Sequence, residues 1–387
     1  MDSLNKRLLW AAGKGKVELC IDLLDRGADV NAKDNHRQNR APLHMAISAK
    51  ITNYMEVSEL LLNRGADVNA KTDRFITPLH MATKKNRSDL CALLLDHGAN
   101  INATAYQWTT ALHFATFPVG FIDVCRLLLE RGADVNPKKY IYEETPLHLA
   151  AIADNKEICG LLLKHGANVH SKNLYGSTPL HFASSNEVCT MLINHGANVN
   201  SKNNLNSGIM NKFTPLHRAA SHGYIDMCMC LINNGANIND VEGQNFTPLH
   251  CISRSNTRTR IELYRLLLDR GADVNSRDIR QNTPLHLETS KSNGTDICRL
   301  LLDRGADIDA KDARGWTPLH IASSYGYSEL CELLLSYGAD VNIKNNKEQT
   351  PRDIVCSNKK PVIWGIFDHR DTFSRRQDLF SLMLDDD

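Results

Sequence analysis

Apolar positions in this chain come in two short helical bursts separated by a reversal, and the combination recurs along its length. Residues 314–342, RGWTPLHIASSYGYSELCELLLSYGADVN, show it most clearly. Thr317 is a good N-cap because its hydroxyl can accept from an amide in the first turn, and Pro318 has no N–H to leave unpaired there. Leu319, Ile321 and Ala322 give the first helix an apolar side, and Gly326 marks a reversal. A second helix is predicted from Leu330, Cys331, Leu333, Leu334 and Leu335, ending at Gly338. An extended segment then leads back to the next threonine. Neither short helix can bury its apolar side alone, so each unit has to stack on its neighbours.

The unit repeats. Thr317 corresponds to Ala41, Thr77, Thr110, Thr145, Thr178, Thr214, Thr247, Thr283 and Thr350, and Gly338 to glycines from Gly27 through Gly98, Gly166 and Gly235 to Gly305. Successive copies lie about 33 residues apart and carry a T-P-L-H-x-A signature, by which the chain resembles the ankyrin repeat family over roughly residues 4–358. The resemblance implies an all-α fold, an ankyrin-repeat α-solenoid with β-hairpin fingers and a concave face. One array spanning 1–367, with capping units at both ends, is expected, followed by a tail over 368–387 that is either an amphipathic helix or an unfolded peptide.

Some copies depart from the pattern. KRLLWAA at 6–12 lacks Thr-Pro and suits an N-terminal cap, while TPRDIV at 350–355 replaces Leu and His with Arg352 and Asp353, which suits a C-terminal one. PVIWGIF at 361–367 is apolar enough to pack on the array's end. Three extra residues fall around Lys50–Tyr54, about one turn is missing around Ser184–Glu187, and 203–211 read as a long finger. Ile252 and Glu288 stand where the signature has alanine. A buried carboxylate is costly without a partner, so the stack is expected to be bent or loosened near 250–292.

Composition narrows the function. Lys plus Arg number 45 and Asp plus Glu 44, a formal charge of +1, so no global field favours nucleic acid or an acidic membrane. No apolar run is long enough to span a bilayer, and residues 1–5 open polar, so neither membrane insertion nor a secretion signal is expected. Eight of the 11 cysteines, Cys20, Cys91, Cys125, Cys159, Cys189, Cys228, Cys298 and Cys331, lie seven residues before a repeat glycine. They read as one packing choice repeated, reduced and buried. Stacked helices are about 8–10 Å apart, wider than the roughly 7 Å limit between bridged Cα atoms.

Nine of the 16 histidines, from His44 to His320, occupy the same signature position, where the family resemblance implies local hydrogen bonds tying repeats together. No zinc spacing, nucleophile elbow or phosphate loop accompanies them, so no cofactor, metal or enzymatic activity is expected. The fingers offer more. Just before the threonine stand Ile76, Phe213, Phe246 and Trp316, with Trp108 one residue earlier in its own finger. Each is either an exposed interface anchor or a ring folded back on its own repeat. Lys84, Lys85, Phe117, His222 and Tyr325 follow first helices and extend the same face. Two basic clusters, Lys84/Lys85/Arg87 and Arg254/Arg258/Arg260, are read as solvated charge in preference to contacts with phosphates or an acidic partner.

The leading expectation is a cytoplasmic, monomeric, non-enzymatic scaffold that binds proteins through its concave face. The alternative is a bacterial or viral host-directed effector, or a ubiquitin-ligase adaptor, whose tail is a delivery or recruitment signal. Resemblance also implies that Asn69, Asn102, Asn200 and Asn342 match positions modified by asparaginyl hydroxylases.

Overall fold

Helices five to ten residues long dominate the described chain, because each Thr-Pro starts one and each repeat glycine stops one. A computed structural model describes residues 3–34, 38–48, 52–139, 141–204, 212–255 and 257–357. The expectations for 205–211, for 361–367 and for the tail lie outside these residues, as do 49–51 of the Lys50–Tyr54 insertion. Among the described residues there are twenty α-helices, two single 3-10 turns and no β-strand. The expected β-hairpin fingers are therefore corrected to tight turns. Only two isolated bridges form, Asp34 with Arg40 and Ala105 with Thr109, because each turn reverses too soon for a ladder to extend.

The chain divides into two compact units, Met1–Asn198 and Val199–Asp387. In each, a helix packs on its pair mate and on the like helix of the next repeat. In the first unit, Pro78–Lys84 pairs with Ser88–Asp96, and Ala111–Thr116 with Ile122–Glu130. In the second, Pro318–Tyr325 pairs with Ser328–Ser336. Helices this short are marginal alone, so the buried leucines, such as Leu90, Leu94, Leu128 and Leu334, hold them. The turn missing from the sixth repeat comes out of its first helix, which is reduced to the 3-10 turn Pro179–His181.

The signature histidine does two jobs at once. At the start of Pro78–Lys84, the Thr77 hydroxyl accepts from the His80 amide (3.5 Å), while His80 Nδ1 accepts from the Thr77 amide (3.2 Å). Nδ1 is thereby an acceptor, the proton sits on Nε2, and Nε2 donates to the Thr109 carbonyl of the next finger at 3.2 Å. His44, His113 and His148 repeat this link in the first unit, and His217, His250, His286 and His320 in the second. In the final copy Asp353 replaces the histidine: its carboxylate accepts from the Thr350 amide (2.8 Å), preserving the cap.

A second ladder runs along the segments after the glycines. Asn69 donates to the Gly98 carbonyl (3.1 Å) and accepts from the Asn100 amide (2.7 Å). Asn31 does the same in the first unit and Asn200, Asn239 and Asn275 in the second. Asp309 takes the next place; it accepts from the Asp340 amide (3.1 Å) but has no amide to donate. The glycines are required for backbone shape, not for room: Gly98 has φ +83°, and a Cβ there would meet nothing within 4 Å.

One interface in the second unit breaks the rule. Glu288 is fully buried, yet its carboxylate is gripped by the guanidinium of Arg260 and accepts from the Tyr264 hydroxyl at 2.9 Å. Lys291 lies 3.6 Å away and donates to the Ser253 carbonyl. The buried carboxylate thus has the partners that offset its cost. Tyr264 stands at the repeated cysteine position, and its larger, hydroxyl-bearing side chain reaches the carboxylate that replaces alanine.

Candidate interaction surface

The turns between repeats decide what each fingertip displays. In 72–76 the Phe75 amide donates to the Thr72 carbonyl (2.8 Å) and the Thr72 amide to the Ile76 carbonyl (3.1 Å). So tight a reversal forces the residue two before the threonine into the left-handed region. The φ values are +57° at Phe75, +56° at Trp108, +62° at Asn245, +61° at Gln281 and +73° at Gly315. Glycine reaches this region freely and asparagine readily, whereas other residues incur about 1–2 kcal/mol. Phe75 and Trp108 nevertheless hold it, and they are 56% and 59% exposed. Neither local backbone preference nor burial accounts for aromatic rings there.

They have company within the first unit. Tyr106, Ile141, Tyr142, Leu174 and Tyr175 are exposed large apolar residues at or beside the next tips. Backbone bonds set the tips in register: the Tyr106 amide donates to the Arg74 carbonyl (2.9 Å), and the Leu174 amide to the Tyr142 carbonyl (2.8 Å). The Tyr142 and Tyr175 rings lie 6.0 Å apart. Phe75, Tyr106, Trp108 and Ile141, with Lys71, line a cleft of about 530 Å3. A second hollow, of about 490 Å3, holds Ile76, Met81 and Phe114 beside Arg40, Arg74, Lys84 and Lys85.

The residues singled out from sequence separate into groups. Trp108 joins the first hollow; Ile76 and Lys84 join the second. Phe117 is exposed at the C-cap of Ala111–Thr116. In the second unit His222 stacks on Tyr224 (5.6 Å) and Tyr325 on Tyr327 (5.5 Å), each pair flanking the glycine at a helix reversal. Phe213, at 9% exposure, is corrected from anchor to packing group: its ring lies 5.5 Å from His217. Phe246 and Trp316 are half-buried in the same way, 5.6 Å from His250 and 6.0 Å from His320. The cause is position. A side chain just before the threonine turns onto the histidine of its own capping box. Arg254 and Arg314 then cover Phe246 and Trp316 from 5.3 and 4.7 Å.

Both basic clusters also change. Arg87 donates to the Ile47 carbonyl (2.9 Å) and stacks 3.7 Å from the Tyr54 ring centroid, so it serves packing between helices. Arg260 is buried on Glu288. The tip residues Phe75, Tyr106, Ile141 and Tyr142 were not singled out from sequence. The available signal was an aromatic where the turn demands positive φ.

The histidines and cysteines offer little chemistry. Burial lowers the pKa of His44, His80, His113, His148 and His217 from 6.5 to about 4. Both ring nitrogens of each are engaged. Ten free cysteines are buried, and burial pushes thiols such as Cys125 and Cys228 up to about 12, far from a thiolate at neutral pH. Among the described residues, no group of three or more His, Cys, Asp or Glu could hold a metal ion. No described helix is long and apolar enough to cross a membrane.

The family model for ankyrin repeats (3 copies) matches residues 52–139, 138–203, 202–278 and 262–345, and that for a single ankyrin repeat matches 8–35. The chain belongs to the ankyrin-repeat family. No curated protein matches it. Ankyrin repeats generally act as protein–protein interaction modules, and proteins built from them are typically non-enzymatic. In this ankyrin array, Asn69 and Asn200 are engaged in the inter-repeat ladder through both amide atoms.

Proposed function

We propose that this chain is a non-enzymatic scaffold whose first unit binds a partner protein through its fingertips, chiefly Phe75, Tyr106, Trp108 and Ile141. The observation that carries the reading is the pair Phe75 and Trp108: large rings kept exposed in a backbone conformation that disfavours them. Exposed aromatics beside a preformed cleft are effective anchors, because they bring much apolar area with few rotors to freeze. Ten free, buried cysteines support a reducing cytosolic setting.

Affinity capture with the full chain tests this. The double substitution Tyr106→Ala/Trp108→Ala removes only exposed rings, so the thermal midpoint should stay within a few degrees while the captured proteins fall away. Capture unchanged by the double substitution overturns the fingertip reading.

A further inference from the structure

The second hollow of the first unit assigns a chemistry to the partner. It lies between the turns carrying Arg40 and Arg74 and the first helix Pro78–Lys84, with Lys84 and Lys85 on its rim. Half-buried Ile76, Met81 and Phe114 give it an apolar lining beside the buried Thr72 and His80. Four cations therefore face a space of about 490 Å3 whose described lining contains no carboxylate.

These cations are not consumed internally. None of Arg40, Arg74, Lys84 and Lys85 forms an ion pair with a described residue, unlike Arg64 and Arg131 of the same unit, which pair with Asp25 and Asp96 at 2.7 Å. The acid nearest in sequence, Asp73, accepts from the Asn39 side chain. Lys84 Nζ rests 5.3 Å from the Phe114 ring centroid, which holds the ammonium at the mouth of the hollow without neutralising it. Like charges gathered without counter-charges repel one another. An incoming group that supplies carboxylates relieves that repulsion and gains from it.

We infer that this hollow docks an acidic peptide segment whose apolar side chains enter between Ile76, Met81 and Phe114 while its carboxylates meet Arg40, Arg74, Lys84 and Lys85. The apolar side chains Ile76, Met81 and Phe114 in the lining favour a peptide over a nucleic-acid backbone. So does the confinement of the cations: the next tips carry Tyr106, Ile141 and Tyr142, whereas a nucleic-acid strand needs a continued basic track. This rests on the scaffold reading and adds the chemical class of the partner's contact.

The probes are a fluorescein-labelled peptide alternating Asp or Glu with Leu and Phe, its counterpart with Lys for every acid, and a labelled oligothymidine. Fluorescence anisotropy at low salt on the full chain should show the acidic peptide binding, with affinity falling as salt rises. Lys84→Glu/Lys85→Glu and Arg74→Glu, all at exposed positions, should each weaken it by about tenfold or more. Lys347→Glu, exposed in the second unit, should leave it unchanged. The proposal is overturned if the acidic peptide fails to bind, if the lysine peptide binds equally, if the charge reversals have no effect, or if oligothymidine binds more tightly. Protein capture separates the two claims. Loss with Tyr106→Ala/Trp108→Ala but retention with Lys84→Glu/Lys85→Glu removes the hollow's role and keeps the scaffold; retention with both removes both.

Discussion

The two units share one repeat but put their unusual residues in opposite places. The first keeps alanine at its helix interfaces, and cysteine at every copy but Ser58, and shows Phe75, Tyr106, Trp108 and Ile141 to solvent at its fingertips. The second has polar residues or glycine at the positive-φ tip position, Asn245, Gln281, Gly315 and Glu348, with Ile279 as an exposed apolar tip, and hides a charged cluster, Arg260, Tyr264 and Glu288, between helices. Ladder and caps are alike in both, so the scaffold constrains neither choice. What differs is free of the repeat's own requirements, and neither backbone preference nor burial explains the exposed set.

The largest expected effect breaks the buried side of that contrast. Arg260→Ala should leave Glu288 inside without its main counter-charge and destabilise the second unit by about 3–5 kcal/mol. Hydrogen exchange should then show faster opening over 248–303 and unchanged protection over 78–130. A loss below about 1 kcal/mol would mean that Lys291 suffices. Replacing the whole cluster, Arg260→Leu with the repeat's usual residues at the other two positions, Tyr264→Cys and Glu288→Ala, should recover most of the stability, because the cluster's desolvation offsets much of its attraction.

Acid should act on both units alike, which tests the claim that their ladders are equivalent. The histidine pKa values are lowered by burial, so the folded state favours the neutral ring. That contribution is complete above pH 6.5 and is lost as pH falls toward about 4. Urea midpoints should drop steeply across that window. Glu242 and Asp309, whose pKa values burial raises, oppose the trend weakly. A flat profile would contradict the neutral, doubly bonded histidines.

The smallest effect exchanges the tips. Phe75→Asn should stabilise the first unit by about 1 kcal/mol by relieving the left-handed strain, while weakening partner capture. Asn245→Phe should destabilise the second unit by a similar amount. Chemical denaturation of the two variants should give opposite signs; equal signs would remove the strain argument for function.

Everything carried by near neighbours was legible in the chain: the caps at Thr77 and Thr317, the stops at Gly98 and Gly338, the repeated cysteine and the signature histidine. These depend on interactions within one or two turns, and the period repeats them until the register is unmistakable. Tertiary structure alone decided the rest. Phe246 and Trp316 lie against their own histidines while Phe75 and Trp108 stay more than half exposed, because one residue's shift in a turn changes which way a ring is aimed. Arg260 meets Glu288 from 28 positions away, because stacking brings one repeat's second helix against the next repeat's first. A period specifies what each module does to itself; which side chains modules offer to each other or to solvent depends on angles that only the packed stack sets.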